Sequence, residues 1–193
     1  MARESSVTTV ILAGGKGSRI GGDKALRDLR GLPLIEWVLG AIVPQGTAIL
    51  ISANDNQAAL AHLGYPVISD YVPGYAGPLA GLHAAMQYAA SEWVASVPCD
   101  TPFLPGDLIA RLLDAALTAE ASVVVVNGSR QPAIAMYHRS VLPKLDAYLG
   151  GGERKVAGWL NMLRVHEAVF DDADAFININ SLEELEAANG KHD

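Results

Sequence analysis

A three-layer α/β domain around a largely parallel sheet is what the residue pattern of this 193-residue chain dictates. Short β-branched apolar runs alternate along the whole length with longer segments of helical period, and that alternation places helices on both faces of a parallel sheet. The length suits one domain of about 100–200 residues.

Thr8–Ala13 (TTVILA) reads as a buried strand, followed by a helix over Leu34–Val43 with Pro33 just before it. Ala48–Ser52 is a second strand, Asn56–Leu63 a short helix and Val67–Ser69 a third strand. A helix over Pro78–Glu92 leads to a strand at Trp93–Val97, and a helix over Pro105–Ala119 carries Asp107 in its first turn. Ser122–Asn127 and Ala133–Tyr137 form a strand pair turned at Gly128-Ser129-Arg130. Helices at Ser140–Leu149 and Val156–Arg164 are separated by Gly150–Gly152, and His166–Phe170 and Phe176–Ile179 are short strands. The last helix opens at Ser181 with Glu184 three residues on, a capping box. In such folds ligands sit at the carboxyl ends of the strands where strand order reverses, so the loops after Ala13, Ser52, Ser69 and Val97 are where chemistry belongs.

Composition narrows the function classes. Half the chain is hydrophobic and 18% is charged, which excludes a disordered tail. Apolar stretches such as Leu34–Val43 fall short of the roughly 20 residues that cross a bilayer, and the N-terminus lacks the form of a secretory signal. These features predict a soluble, cytoplasmic protein without a membrane partner. A single cysteine, Cys99, excludes an intramolecular disulfide, and no Cys/His spacing suits structural zinc. The net charge of −7 has the wrong sign for coating nucleic acid. Yet Gly14–Arg27 carries Lys16, Arg19, Lys24 and Arg27 against Asp23, a local +3 that leaves −10 for the remainder. A small anionic ligand accounts for such a basic island.

That island is the loop Leu12-Ala13-Gly14-Gly15-Lys16-Gly17-Ser18-Arg19-Ile20-Gly21-Gly22-Asp23-Lys24 after the first strand. Glycines let backbone N–H groups reach phosphate oxygens, and Arg19 and Lys24 supply charge. It is not a Walker loop, since Asp23 stands where lysine must follow the last glycine, nor a dinucleotide fingerprint, since the third glycine would fall at Ile20. The second strand ends at Ser52, with no acid placed to grip a ribose.

The stretch Leu12–Lys24 closely resembles the signature loop of molybdenum cofactor guanylyltransferases, members of a nucleotidyltransferase superfamily. The resemblance continues through Gly31-Leu32-Pro33-Leu34, Gly77-Pro78-Leu79-Ala80-Gly81, Pro98–Pro105, Gly152-Glu153-Arg154-Lys155 and Asn178-Ile179-Asn180-Ser181, so it spans nearly the whole chain. It implies a single Rossmann-like nucleotidyltransferase domain over residues 1–193 with a mixed, mostly parallel sheet, residues 8–105 serving the nucleotide and 106–193 the acceptor. The implied reaction moves GMP from GTP to the terminal phosphate of molybdenum-bearing molybdopterin and releases pyrophosphate. Cytidylyl-transferring relatives carry Leu-Ala-Ala-Gly where this chain has Leu12-Ala13-Gly14-Gly15, which favours guanine. The chain departs from the pattern at Gly17, Ile20, Ser52, Lys155 and Ser181-Leu182; Ser52 replaces an asparagine, although Asn54 lies two residues on.

Residue roles follow from the same resemblance. Leu12, Ala13, Gly14 and Gly15 line the nucleotide, Lys24 stabilises charge on the α-phosphate, and Arg19 holds the departing phosphates. Asp100, just beyond the strand Trp93–Val97, is the Mg²⁺ ligand, since magnesium takes one or two carboxylates beside substrate phosphates; a turn acid ahead of Pro105 is the plainer alternative. Asp70 and Ser52 are nucleotide contacts, Asp70 at the guanine edge or the ribose; a carboxylate can accept from the N1–H and 2-amino group of guanine, and Asp70 is also readable as an ordinary strand-end acid. Asn178 and Asn180 share a face by the two-residue period and lie near the pterin, unless they are simply turn and cap residues. Gly77 and Pro78 begin a helix whose N-terminus faces the nucleotide or merely enters the helix. Arg154 and Lys155 bind the acceptor's phosphate or are solvated charges after a helix-ending glycine.

Cys99 reads as a small buried residue rather than a nucleophile, and the five histidines have no metal spacing. The competing functions are a molybdopterin cytidylyltransferase, a sugar-phosphate nucleotidyltransferase, a GTP-binding adaptor and a non-catalytic pterin carrier. Molybdenum-insertion and molybdoenzyme chaperone proteins are the further partners implied.

Overall fold

The computed structural model describes residues 6–14, 24–70 and 77–189. Nine strands and seven α-helices succeed one another in these residues: β1 (Val7–Leu12), β2 (Asp28–Leu29), β3 (Leu32–Pro33), α1 (Leu34–Ile42), β4 (Ala48–Ser52), α2 (Gln57–Ala61), β5 (Val67–Ile68), α3 (Pro78–Tyr88), β6 (Trp93–Pro98), α4 (Leu108–Ala116), β7 (Ala121–Val126), β8 (Ser129–His138), α5 (Leu142–Gly150), α6 (Val156–Leu160), β9 (Val165–Phe170) and α7 (Leu182–Asn189). Seven strands form one sheet in the order β5-β4-β1-β6-β8-β7-β9. Every pairing is parallel except the two that β8 makes, so the sheet is mixed and largely parallel, as the sequence predicts.

The three layers follow from side-chain alternation on the central strands. Ile11, Ile49, Ile51 and Val97 face a core closed by Ile35, Val38 and Ile42 of α1 and by Leu108 and Leu112 of α4. Val10, Leu50 and Val94 point the other way, against Leu79, Leu82 and Met86 of α3, Leu145 of α5 and Trp159 of α6. With both faces covered, β1 needs apolar residues on both; its buried Thr8 and Thr9 bond to Ser91 (2.7 Å) and Thr47 (3.0 Å). A third cluster joins Leu29, Leu34, Ile179 and Leu185, and seats α7 beside β2. No helix among the described residues is long and apolar enough to cross a membrane.

Several boundaries differ from the sequence reading. The helix expected over Pro105–Ala119 starts at Leu108, with Asp107 as its N-cap, because Pro105 turns the chain first and takes the Leu108 N–H at 3.2 Å. The helices expected to reach Glu92 and Arg164 end at Tyr88 and Leu160. The β7–β8 turn is Asn127-Gly128, both left-handed (φ 49° and 73°), so Ser129 and Arg130 already belong to β8. The strand expected at Phe176–Ile179 is a 3₁₀ turn (Asp174–Phe176) and then extended chain outside any ladder. Its alternation is real, with Ile179 buried between exposed Asn178 and Asn180, but it lies against the loop after β6 rather than a strand. The sequence pattern does not predict the two-residue strands of the β2–β3 hairpin.

Candidate active site

Strand order reverses at β1, whose neighbours are β4 on one side and β6 on the other. The carboxyl ends of these strands are held level: Ala13 N–H donates to Ser52 O (2.9 Å) and Cys99 N–H to Leu12 O (3.2 Å). Gly14 is exposed just past them. Helix α3 presses onto this end, for a Cβ at Gly81 would lie 2.5 Å from Ser52 Oγ and 2.9 Å from Leu12 Cδ2. Only glycine lets the helix come this close. Gly77 (φ 73°), the N-cap of α3, and Pro78, its first residue, are exposed beside the strand ends, while Leu79 and Ala80 behind them are buried.

Asp100 follows β6 by two residues, and Lys24 opens a 3₁₀ turn (Lys24–Leu26) before β2. Lys24 Nζ forms an ion pair with Asp100 Oδ2 and donates to Asn180 Oδ1 at 2.7 Å. Both members of the pair are largely covered, at 19% and 13% side-chain exposure. Asp100 Oδ1 is buried with no hydrogen-bond donor among the described residues. A buried carboxylate oxygen left without a donor is costly, and a hard divalent cation such as Mg²⁺ completes it; the residues present fit such an ion. Asn178 and Asn180 are fixed by the same loop, Ile179 N–H donating to Asp100 O (2.9 Å) and Thr101 Oγ1 to Asn178 Oδ1 (2.5 Å). Lys24, Asp100, Asn178 and Asn180 therefore form one polar cluster.

A second cluster lies at the ends of β4 and β5. Asp70 accepts from Ser52 Oγ (3.3 Å) and from Asn54 Nδ2 (2.9 Å), and its own N–H donates to Asn54 Oδ1 (3.0 Å). The two-point clasp by Asn54 fixes both the backbone and the carboxylate of Asp70. Sequence reasoning noted Asn54 only as a neighbour of Ser52; its partner lies 16 residues away, and no local pattern announces the pair.

Comparison with known proteins gives the family. Residues 9–167 match the model of the MobA-like NTP transferase domain. The chain belongs to the MobA-like NTP transferase family. The molybdenum cofactor guanylyltransferase of Cupriavidus taiwanensis is 46% identical over 97% of this chain and 98% of its own. That of Vibrio cholerae is 40% identical over 97% and 94%. The crystal structure of molybdopterin-guanine dinucleotide biosynthesis protein A from Archaeoglobus fulgidus superposes with a TM-score of 0.79 at 27% identity, covering 94% of this chain and 96% of that one. The chain is thus a nucleotidyltransferase, as the sequence reading holds.

Other candidate positions of this MobA-like transferase fall elsewhere. Gly15 and Arg19 lie outside the described residues. Arg154 Nη1 donates to Leu149 O (2.8 Å) and Glu153 O (2.7 Å), binding its guanidinium to the end of α5. Lys155 is the exposed N-cap of α6, and its carbonyl accepts from Tyr148 OH at 2.9 Å. Among the described residues neither is hydrogen-bonded to the Lys24–Asp100 cluster. Cys99 is buried, and burial first, then the neighbouring Asp100 charge, pushes its thiol up to about 12. It stays protonated and cannot act as a nucleophile at neutral pH. His83 is buried on α3 and bonds to Asp146 of α5 at 2.5 Å, a packing contact between helices.

Proposed function

We propose that the cleft at the carboxyl ends of β1, β4 and β6 transfers GMP from GTP to the terminal phosphate of molybdenum-bearing molybdopterin, yielding molybdopterin guanine dinucleotide and pyrophosphate. The observation that carries the reading is Lys24, whose ammonium bridges Asp100 on the nucleotide side and Asn180 on the acceptor side. On this reading residues 8–105 bind the nucleotide and 106–193 supply the acceptor contacts, with the two parts meeting at Lys24.

The acceptor phosphate is already ionised near neutral pH and needs no strong base. Its oxygen attacks the α-phosphorus of GTP as the bond to the β-phosphate breaks, and pyrophosphate leaves with the electron pair. The protein's part is to align that attack and stabilise charge. Leu12–Gly15 and the exposed start of α3 at Gly77 and Pro78 receive the nucleotide. Asp70, held by Asn54 and Ser52, accepts from guanine. Lys24 neutralises charge at the α-phosphate, and Arg19 takes the departing phosphates. Asp100 would hold Mg²⁺, which would supply charge neutralisation at the phosphate oxygens. Asn178 and Asn180 orient the pterin phosphate, with Lys155 as an outlying anion contact, while Arg154, bonded to the Leu149 and Glu153 carbonyls, closes the end of α5 instead. The reading places the enzyme in the cytoplasm, among molybdenum-insertion and molybdoenzyme chaperone proteins.

The test is pyrophosphate release from Mg·GTP and from Mg·CTP, with and without molybdenum-loaded molybdopterin. Acceptor-dependent release from GTP is expected. Release from CTP alone would overturn the base assignment, and nucleotide binding without release would move the protein to the carrier class.

A further inference from the structure

Arg30 stands at the tip of the β2–β3 hairpin with φ 54°, followed by Gly31 at φ 83°. Two left-handed residues make the tight hairpin turn, yet the first is a long cationic side chain rather than the usual asparagine or glycine. The conformation brings three donors of Arg30 to the end of α7. Its backbone N–H donates to Asn189 Oδ1 (2.7 Å), and Nε and Nη2 both donate to Ala188 O (3.0 and 2.8 Å). These are the last residues of α7, where unpaired carbonyls and the helix dipole favour a cation.

The other end of α7 is equally fixed. Glu184 Oε2 accepts from Asn180 N–H (2.6 Å) and Ser181 N–H (3.2 Å), and Glu184 N–H donates to Ser181 Oγ (3.1 Å). This capping box ends on Asn180, whose side chain holds the Lys24 ammonium. Lys24 itself lies four residues before the hairpin. The segment from Lys24 to Arg30 therefore grips α7 at both ends, with Leu29, Ile179 and Leu185 packed between. The Arg30 guanidinium also lies 5.8 Å from the ring centre of Phe103, on the loop that carries Asp100.

We propose that Arg30 is a positioning residue of the transferase: by clamping the C-terminal end of α7 it sets Asn180, and through Asn180 the Lys24 ammonium, relative to Asp100. The proposal rests on the transferase reading for its kinetic consequence, though not for its geometry. A misplaced charge at the transferred phosphate slows the chemical step more than it weakens binding.

The experiment uses the full chain with Arg30→Met, Arg30→Lys, Asn180→Ala and the double variant Arg30→Met/Asn180→Ala. In acceptor-dependent pyrophosphate release, Arg30→Met should lower kcat about tenfold while KM for GTP moves less than about twofold. Arg30→Lys should recover part of that loss. In the Asn180→Ala background, Arg30→Met should change kcat by less than about twofold, because the route through Asn180 is already cut. A second readout is independent of turnover: acetylation of Lys24, followed by peptide mass spectrometry, should quicken about threefold or more in Arg30→Met while Lys144, paired with Glu120, labels as before. Equal losses in both backgrounds, or unchanged Lys24 labelling, overturn the clamp even if the transferase reading stands. A wild-type chain that never releases pyrophosphate overturns the transferase reading, and the labelling still decides the clamp. Should Arg30→Met fail to fold, Asn189→Ala removes only the acceptor of the Arg30 N–H, and the same two readouts apply.

Discussion

Gly-Gly-Asp-Lys at residues 21–24 and Gly-Gly-Glu-Arg at residues 151–154 are nearly the same tetrapeptide, yet their basic side chains do opposite work. Lys24 finds its partners 76 and 156 residues away, at Asp100 and Asn180. Arg154 finds them five residues and one residue away, on carbonyls of its own helix end. A cation with distant partners ties segments together and must earn its place through tertiary structure. A cation with local partners finishes a helix. Separation in sequence, which a motif cannot display, is what parts these two cations: Lys24 joins distant segments and Arg154 closes a neighbouring helix end.

The sharpest way to break this contrast is at Asp100. Asp100→Ala should lower kcat about a thousandfold, the scale of losing a metal ligand and its charge stabilisation, and equilibrium dialysis should show GTP affinity changed far less. Turnover within about tenfold of wild type would remove Asp100 from the metal site and leave Lys24 as a structural ion pair. Next, Lys24→Met, which keeps the side chain's bulk and removes its charge, should lower kcat about a hundredfold. It should also leave Asp100 as a buried carboxylate lacking its cation. An exposed lysine would show neither effect.

The sheet was far more legible than the site. β1, β4 and β6 announce themselves because strands covered on both faces are near-continuous runs of apolar and β-branched residues, broken only by small polar ones such as Thr8, Thr9 and Ser96. The β2–β3 hairpin did not, since its strands are two residues each and its turn is Arg30-Gly31 rather than a recognised hairpin dipeptide. Phe176–Ile179 alternates like a strand but packs on a loop, and alternation reports burial rather than ladder pairing. Lys24 stands out in the glycine loop and Asp100 at the carboxyl end of the strand Trp93–Val97, each with the family resemblance behind it. Their contact, and the link to Asn180, depend on strand order that no local pattern specifies. Asn54 was passed over for the same reason, although its clasp on Asp70 makes a smaller prediction of its own. Asn54→Ala should raise KM for GTP about fivefold to tenfold with kcat nearly unchanged, as expected when ground-state and transition-state binding are lost together. If Asp70 reads the guanine edge, discrimination between GTP and inosine triphosphate should narrow in the same variant. A variant that loses affinity for both nucleotides equally would assign Asp70 to the ribose instead.

The smallest effects belong to the second tetrapeptide, and they test the contrast from its other side. Arg154→Ala leaves the Glu153 carbonyl to water and the Leu149 carbonyl with only the Gly152 N–H, which should cost about 0.5–1 kcal/mol of stability and lower Tm by about 1–4 °C for a chain of this size. Its kcat should stay within about twofold of wild type, because the guanidinium is already committed to α5. Lys155→Ala should do the reverse: no measurable change in Tm, since the ammonium is exposed at the head of α6, and a rise of about threefold in KM for the molybdopterin acceptor, the scale of one screened surface charge. The two substitutions sit side by side, so a global disturbance of the loop would move both variants together in both assays. Divergence between them is what a helix-ending arginine beside an anion-facing lysine requires. A large fall in kcat on losing Arg154 would instead mean that its local bonds give way when the acceptor binds, and that both tetrapeptides serve the reaction.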